Sequence, residues 1–318
     1  EVIYSNHHLH PVLDCTRSVQ SEIEKLGGSF RSLPVSELFG FRNVFNPSLV
    51  KKEDSWLIAF RCSEPTDEKE SKQDQIILAE FSKDFSFSKS QKLFTEVDHS
   101  CEDPRFYYDN GQLSLSYVRY RGIWDLGTQI INCHLNQCLN VIRTEQLDIG
   151  NNTKQGCFFE KNWLFTERAG RRAVIYSIEP LIVYEEINAG KFEKTIESDK
   201  QFKLWKYGTP RASAGPVFIP NLNQNLVFFH SHVQKSDSKD RVYFTGAALY
   251  DQNYRLISYT SDPFVTSTSM QNPSNEAYCT LPYGAVLDGE TLYVSVGIND
   301  RESGIITLPL KNLFRTLK

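Results

Sequence analysis

Short segments of apolar, β-branched or aromatic residues recur along this chain, and many of them follow a tight turn. Examples are residues 55–61, 112–118, 226–230 and 291–296; the second follows Asp109-Asn110-Gly111 and the last follows Asp288-Gly289. A run of this kind after a turn is typical of the second strand of a β-hairpin. Two further strand-like segments come next, such as 76–81 with 92–94, or 243–249 with 254–259. The repeating unit therefore has about four strands.

This four-strand unit occurs about five times. The segments that open the units begin near Asn46, Asp103, Glu160, Arg211 and Tyr283, at spacings of 57, 57, 51 and 72 residues. Four-stranded units at such spacings are typical of the blades of a β-propeller, which surround a central channel. The sequence thus predicts an all-β fold, a five-bladed β-propeller over residues 41–318, with a β-sandwich as the alternative architecture.

Helical periodicity is clear in one place, residues 16–26. There Val19, Ile23 and Leu26 recur at intervals of three or four residues behind a threonine that can cap the helix. We therefore assign residues 1–40 to a short helical and irregular N-terminal extension that packs on the propeller.

The net charge of -4, with 23% charged residues, argues against nucleic acid as a partner, and the lengths of the apolar runs argue against a membrane segment. It offers no basic stripe for a nucleic-acid backbone. Apolar runs such as 226–229 are far shorter than the roughly 20 residues that cross a bilayer. We expect neither nucleic acid nor a membrane segment, while association into a homo-oligomer stays open.

The cysteine and histidine spacings predict neither disulfides nor a metal site. An odd number of cysteines, seven, is scattered without CxxC spacing, which is typical of free thiols in a reducing compartment and predicts a cytoplasmic location. His7, His8 and His10 have no matched cysteine pair nearby, as a zinc site would require. Because no GxGxxG follows a strand, a dinucleotide cofactor is not expected either.

Polar residues cluster where the units begin. In a propeller the first strand of each blade lines the channel, so residues at its mouth converge from all blades. The stretch Cys101-Glu102-Asp103-Pro104-Arg105 places two carboxylates and a guanidinium ahead of a strand. Burial or neighbouring carboxylates can raise the pKa of such an acid, as general acid catalysis needs. Alternatively, Asp103-Pro104 only begins a turn that carries surface charges.

A series of short motifs spans roughly residues 40–315. In order they are Phe45-Asn46-Pro47-Ser48, Leu57-Ile58-Ala59-Phe60-Arg61, Glu102-Asp103-Pro104-Arg105, Arg168, Arg211-Ala212-Ser213-Ala214-Gly215-Pro216, Phe229-His230, Gly246-Ala247-Ala248-Leu249 and Gly297-Ile298-Asn299-Asp300. Their order and spacing resemble glycoside hydrolase family 130, which contains the mannoside phosphorylases. The fold of that family is a five-bladed propeller, in agreement with the repeat count.

The resemblance implies a role for each matching residue. Asp103 would be the catalytic acid, which protonates the leaving oxygen through a sugar hydroxyl while phosphate attacks the anomeric carbon from the opposite face and inverts it. Arg168 and Arg211 match phosphate-binding cations, and a fork-shaped guanidinium suits phosphate. Lys154 and Lys161 are candidates for a third phosphate cation. The candidate sugar-binding residues are Asn46, Arg61, Glu102, Arg105, Glu160, His230, Tyr283 and Asp300.

Some features depart from the family pattern. Arg61 is followed by Cys62-Ser63-Glu64 in place of Arg-x-Glu, and Arg211 stands where lysine is common. Residues 159–163 and 175–180 are more similar to propeller glycosyltransferases, among them glycosyltransferase family 108, which move β-1,2-linked mannose.

The resemblance implies a carbohydrate-active, mannosyl-transferring enzyme, an inverting glycosyltransferase or glycoside phosphorylase. Its partners would be a mannose-containing glycan or sugar phosphate, together with inorganic phosphate. Three alternatives stay open: a nucleotide-sugar-dependent glycosyltransferase, a glycoside hydrolase, and a non-catalytic glycan-binding propeller.

Overall fold

The structure is a computed structural model that describes residues 2–5, 8–11, 19–63, 74–94, 100–120, 127–150, 160–234, 241–266 and 277–318. Before the first blade come a small hairpin, two short helices and one further strand. These elements are β1 (Val2–Ser5), β2 (His8–Pro11), α1 (Val19–Lys25), β3 (Ser29–Leu33) and α2 (Val35–Phe39). The helix predicted over residues 16–26 is present as α1, and residues 16–18 lie outside the described part of the chain.

Five sheets form the five blades. Each has four principal strands in antiparallel order, and the sheet of blade 4 also carries two short strands. Blade 1 contains β4 (Asn43–Lys52), β5 (Ser55–Ser63), β6 (Gln75–Ser82) and β7 (Phe87–Lys92); blade 2 contains β8 (Cys101–Asp109), β9 (Gln112–Tyr120), β10 (Thr128–Leu135) and β11 (Val141–Gln146); blade 3 contains β12 (Leu164–Arg168), β13 (Arg171–Ile178), β14 (Leu181–Asn188) and β15 (Lys191–Glu197).

Blade 4 contains β16 (Arg211–Ile219), β17 (Gln224–Gln234), β18 (Arg241–Tyr250) and β19 (Leu256–Tyr259), with β20 (Val265–Thr266) and β21 (Ala277–Tyr278) also paired to β18. A 3-10 turn, Pro220–Leu222, joins β16 to β17. Blade 5 contains β22 (Thr280–Asp288), β23 (Thr291–Ile298) and β24 (Glu302–Pro309), and the short helix α3 (Leu310–Phe314) follows it.

The first strands of the five blades form a closed ring. Along the chain each contacts the next, from β4 through β8, β12 and β16 to β22, and β22 in turn contacts β4. This arrangement is a five-bladed β-propeller, as the repeat predicted, and a β-sandwich is excluded. The inner strands begin within four residues of the predicted positions. The fourth strand of blade 1 is Phe87–Lys92 and not residues 92–94, because Phe87 packs edge-on against Phe81 of β6.

The hydrophobic core lies between neighbouring blades. Leu57 of blade 1, for example, belongs to the same buried cluster as Leu115 and Ile131 of blade 2. Similar clusters occupy the other four interfaces between blades. Burial of middle strands on both faces explains why they are continuous apolar runs instead of alternating ones. Each blade therefore depends on its neighbours for stability.

The fifth blade takes its outer strand from the beginning of the chain. β3 pairs antiparallel with β24, for example Phe30 with Ile306, and completes the sheet β22-β23-β24-β3. The residues before position 41, which the sequence suggested as an extension, thus contribute a strand to the propeller. Among the described residues, no helix has the length and hydrophobicity needed to span a membrane.

Candidate functional site at the channel mouth

Two first strands bend sharply where they enter the channel. The pairing of β4 with β5 shifts between Phe45 and Ser48, and that of β8 with β9 shifts between Glu102 and Arg105. Within these bulges Asn46 and Asp103 adopt left-handed backbone conformations, with φ of 50° and 51°. Such conformations cost about 1–3 kcal/mol and cluster at functional sites, and Asn and Asp tolerate them best after Gly. The bulges turn both side chains toward each other.

Asn46 and Asp103 form a buried pair. The amide Nδ2 of Asn46 donates a 2.8 Å hydrogen bond to Oδ1 of Asp103. A glycine is required beside them: a Cβ on Gly297 would lie 2.3 Å from Oδ1 of Asn46. This contact gives a physical reason for the glycine that opens the motif at residues 297–300.

Arg61 joins three carboxylates at the mouth. Its Nε donates to Oδ2 of Asp74 at 2.7 Å, and its Nη2 donates to Oε1 of Glu102 at 2.6 Å. Its Nη1 lies 3.4 Å from Oδ1 of Asp103. The guanidinium also packs on the ring of Phe45, 4.9 Å from its centre. One buried cation therefore holds Asp103 in place.

Both oxygens of Glu102 are occupied. Oε1 accepts from Arg61, while Oε2 accepts from Nζ of Lys161 at 2.9 Å and from the hydroxyl of Tyr120 at 3.3 Å. Lys161 also contacts Tyr120, with 3.1 Å between Nζ and the hydroxyl. Glu102 and Lys161 therefore form an ion pair beside Asp103.

The charges around Asp103 lower its pKa. Burial acts to raise the pKa, but Arg61, Lys161 and Arg105 act against it, as does the hydrogen bond from Asn46, and their combined effect is larger. The expectation of a raised pKa at this position is therefore wrong for the ligand-free protein, because three cations face the carboxylate. Asp103 is ionised there.

The pKa of Asp300 is shifted in the opposite direction, upward. It follows β23 in a left-handed conformation and reaches solvent, yet burial among neighbouring groups raises its pKa. Arg61 and Lys161 act to lower it and Asp103 and Glu102 to raise it, and burial is the largest cause of the upward shift. Two carboxyl groups with their pKa values moved apart are typical of sites that transfer protons.

Arg105 lies on the other side of Asp103 and lacks a carboxylate partner within ion-pairing distance in the described part of the chain. The residue is 7% exposed, and its guanidinium stacks over the ring of Tyr283 at 5.1 Å. Nη2 makes a long 3.4 Å contact with Oδ1 of Asn162, whereas the buried Nη1 has no partner among the described residues. Burial lowers the pKa of Arg105, which is the direction expected of a cation without a close counter-charge.

His230 is neutral, and its hydrogen bonds define which nitrogen carries the proton. The hydroxyl of Ser213 donates to the carbonyl of Pro282 at 2.8 Å and lies 3.1 Å from Nδ1 of His230. Because the hydroxyl has one proton, Nδ1 must donate to it, and Nε2 is left as an acceptor. Burial, followed by Arg105, Arg211 and His232, lowers the pKa of His230 to about 3.

The structure brings most of the predicted site residues together at the mouth. They are Asn46, Arg61, Glu102, Asp103, Arg105, Lys161, Arg211, His230, Tyr283 and Asp300. Arg211 begins β16, is exposed, and pairs in register with His230 of β17. Lys154 lies outside the described residues.

Two predicted residues lie elsewhere. Glu160 is buried against blade 3, where its carboxylate accepts from Nε1 of Trp163 at 3.2 Å and from the hydroxyl of Tyr176. Arg168 ends β12 at the hairpin turn, the opposite end of the strand from the mouth, and forms an ion pair with Glu185. Neither contributes to the mouth in this conformation.

Asp74 and Tyr120 belong to the site although the sequence did not single them out as site residues, and Asn162 was expected only as one of the polar residues at the start of a unit. Asp74 precedes a third strand, and its carbonyl accepts from the amide of Cys101 at 3.0 Å, which links it to the segment that carries Asp103. A lone aspartate before an apolar run gives no signal of this contact. The strand pairing of Cys62 with Gln75 would have indicated it.

The charges at the mouth separate into two halves. The carboxylate half holds Asp74, Glu102, Asp103 and Asp300 against two cations, Arg61 and Lys161. The cationic half holds Arg105 and Arg211 beside the neutral His230. Such a site can bind a molecule with hydroxyl groups at one end and an anion at the other. In the described part of the chain, no group of three or more metal-binding side chains is found.

The channel continues beyond the mouth along the ring axis. Residues from the first strands of all five blades line a cavity of about 360 Å³, with Arg105 and Tyr283 at the end nearest Asp103. The stacked pair of Arg105 and Tyr283 therefore forms the floor between the mouth and the rest of the channel.

The sequence matches no protein-family model, and no curated protein is significantly similar to it. Solved structures are similar in fold. A β-1,2-mannobiose phosphorylase from Listeria innocua has a TM-score of 0.62 at 13% identity, over 90% of this chain and 92% of that one. A glycosyl hydrolase from Bacteroides ovatus has a TM-score of 0.62 at 16% identity, over 85% of each chain.

A third similar structure comes from glycoside hydrolase family 130, described as a family of mannoside phosphorylases that contains hydrolases acting on β-1,2-mannosidic linkages in Candida mannan. Its TM-score is 0.62 at 16% identity, over 85% of each chain. At such identities the similarity establishes the fold. The resemblance to this family that the motif order predicted is confirmed at that level: the chain has the same five-bladed propeller.

Proposed function

We propose that this protein is a carbohydrate-active enzyme that transfers a mannosyl group between a phosphate-bearing donor and an acceptor hydroxyl, with inversion. The observation that supports it best is the ionised Asp103, held at the channel mouth by Asn46 and Arg61 next to a cationic half that carries Arg211. The mannosyl group and the phosphate are suggested by the solved propellers of similar fold, which include a β-1,2-mannobiose phosphorylase.

In its ionised state Asp103 can act as the base in the synthetic direction. As the acceptor oxygen attacks the anomeric carbon of a sugar phosphate, its proton passes to the Asp103 carboxylate, directly or through a sugar hydroxyl. The bond between the anomeric carbon and the phosphate oxygen breaks, and inorganic phosphate leaves from the opposite face with the electron pair. Phosphorolysis is the same path reversed, with protonated Asp103 as the acid.

Hydrolysis is less well supported by the geometry. An inverting hydrolase needs a second carboxylate that activates water, about 6.5–9.5 Å from the acid. Glu102 has both oxygens occupied by cations and Tyr120. Asp300 has a raised pKa, which makes it a weaker candidate for an ionised base.

Product analysis tests this function. The protein is incubated with mannose 1-phosphate and a β-mannooligosaccharide, with GDP-mannose and the same acceptor, and with the oligosaccharide alone with and without phosphate. We expect longer oligosaccharides and inorganic phosphate from mannose 1-phosphate. We expect Asp103→Asn to lower the rate by about 10²–10⁴-fold, the usual contribution of proton transfer. Asp288→Asn, a matched change in the half-exposed ion pair with Lys51, should leave the rate unchanged.

Each other outcome contradicts the proposal in a specific way. Free mannose released without phosphate would indicate a hydrolase, and products from GDP-mannose alone would indicate a nucleotide-sugar transferase. Tight glycan binding without any turnover would indicate a glycan-binding propeller.

A further inference from the structure

We infer that Arg105 is the principal ligand of the donor phosphoryl group, with Arg211 as the second cation on the solvent side. This inference rests on the proposed function and names the residues that hold its anion. It replaces Arg168, which the sequence motifs suggested for that role.

The first argument is the missing partner of Arg105. Its guanidinium is buried, yet Nη1 makes no hydrogen bond within the described residues and Nη2 makes one long contact to a neutral amide. Placing an unpaired cation in a protein interior costs several kcal/mol. Arg61, which also acts on Asp103, shows the usual arrangement, because each of its nitrogens faces a carboxylate. A cation kept without a partner in the free protein is best explained by an anion that arrives with the substrate.

The second argument is the position of Arg105. It interacts electrostatically with Asp103 on one side and with His230 on the other, and Arg211 also acts on His230. Arg105 and Arg211 therefore face the same imidazole from two different blades. A phosphoryl group bound by both would therefore lie next to His230, in the half of the mouth that lacks carboxylates.

The third argument is the hydrogen-bonding capacity of this half of the site. Arg105 can offer Nη1, and Arg211 adds donors from the exposed side, which suits the several oxygens of a phosphate. Nε2 of His230 is an acceptor, so it can receive the single proton of a monoprotonated phosphate. A fully esterified or uncharged group would leave the cations unpaired. The ligand class is thus a phosphate monoester or inorganic phosphate.

Arg168 does not offer the same chemistry. Its guanidinium is paired with Glu185, and its place at the β12–β13 turn puts it at the other end of the blade. Bringing it to the mouth would require reversing a strand. Arg168→Gln is therefore a matched control: it removes the same charge from the same fold, at a partly buried ion pair with Glu185 that lies away from the mouth.

The test measures binding and stability and does not depend on turnover. Inorganic phosphate is titrated calorimetrically into the full-length wild type, Arg105→Gln and Arg168→Gln, and thermal unfolding of each is followed with and without phosphate. We expect Arg105→Gln to weaken phosphate binding at least tenfold and Arg168→Gln to leave it unchanged. Phosphate should raise the Tm of the wild type and of Arg168→Gln, but not that of Arg105→Gln.

Stability without phosphate separates a ligand-binding role from a structural one. If Arg105 waits for an anion, removing its unpaired charge leaves the phosphate-free protein at least as stable as wild type. A structural role predicts a lower Tm and unchanged phosphate affinity, and that result would overturn the inference. Loss of phosphate binding in Arg168→Gln, or no phosphate binding by the wild type, would also overturn it.

A second variant and a direct observation keep the test independent of folding. Arg105→Lys keeps the charge but loses the fork, so we expect intermediate phosphate affinity. A crystal soaked in tungstate should show the anion within hydrogen-bonding distance of Arg105; an anion bound only at Arg168 would contradict the inference. Should phosphate bind at Arg105 while Asp103→Asn retains full turnover, the proposed function fails and the anion site stands.

Discussion

At the scale of single residues, the protonation state of Asp103 decides whether the site begins as a proton acceptor or a proton donor. A carboxylate with three nearby cations and a hydrogen bond from Asn46 is ionised before any substrate binds. Neutral His230 adds no competing positive charge, since its pKa lies near 3. The free protein is therefore prepared to accept a proton from an acceptor hydroxyl, and the bound sugar must change this environment if Asp103 is to act as an acid.

This state gives a testable dependence on pH. Because the pKa of Asp103 is lowered, its base form persists as pH falls and is lost only when pH passes below the ordinary aspartate value of about 3.9. We expect kcat/KM for synthesis to lack an Asp103 limb between pH 7 and about pH 4, measured as phosphate release from mannose 1-phosphate under saturating acceptor.

Lys161→Met should move that limb to higher pH, because it removes one of the cations that lower the pKa of Asp103. The matched control is Lys89→Met. Lys89 is an exposed lysine on the outer strand of blade 1 that pairs with Glu80 of the neighbouring strand, and its replacement should leave the pH profile unchanged. An acid limb that stays at the same pH in Lys161→Met would contradict this assignment of Asp103.

At the scale of strands and blades, the sequence predicted the elements better than the contacts between them. Turn signals such as Asn110-Gly111 and Asp288-Gly289 locate the second strands correctly, because a left-handed glycine is a local requirement of the turn. Arg168 lies at the last position of the five-residue first strand of blade 3, and the order of the motifs does not indicate which end of a strand a residue occupies. Asp74 went unrecognised because its contact with Arg61 depends on the pairing of β5 with β6, which no local pattern encodes.

One ion-pair network joins blade 3 to blade 2. Arg172 of β13 is 5% exposed and pairs with Glu145 of blade 2 and, at 2.5 Å, with Glu186 of its own blade. It also lies 3.4 Å from both Asp109 and the hydroxyl of Tyr107. Burial acts to raise the pKa of Glu145, but the hydrogen bonds from Arg172 and Asn132 outweigh it and lower this pKa to about 2.

Breaking this network should destabilise the protein. Arg172→Met leaves Glu186 and Asp109 without this counter-charge and leaves Glu145 with Arg143 alone, so we expect the free energy of unfolding to fall by about 3 kcal/mol in urea denaturation. Lys194→Met, which breaks an exposed pair with Glu197, should have a much smaller effect on stability. Equal losses in the two variants would show that the buried network does not hold the blades together.

At the scale of the whole molecule, stability depends on closing the ring. β3 supplies the outer strand of blade 5, and Leu33 packs in the cluster between blades 5 and 1 with Trp56 and Ile305. The amide of Asn312 donates to the carbonyl of Leu26 at 2.8 Å, so the segment before β3 lies beside the end of blade 5.

Removal of residues 1–33 should therefore abolish cooperative unfolding and turnover, because blade 5 loses a strand and the last interface loses its cover. Moving residues 19–33 to the end of the chain through a Gly/Ser linker of about ten residues, which spans roughly 15–20 Å, should restore both. Thermal unfolding followed by circular dichroism measures the outcome. A truncated chain with wild-type Tm would show that β3 is dispensable.

The pairing of β3 with β24 also sets an order of events during synthesis. β3 is synthesised long before its partner strand, because Ser29 pairs with Thr307 of β24. At about 5–20 residues per second this delay is on the order of tens of seconds, during which the edge of the early strand has no native partner. Nascent chains stalled before residue 302 should therefore be recognised by chaperones and proteases as unfinished, however many of their blades have formed.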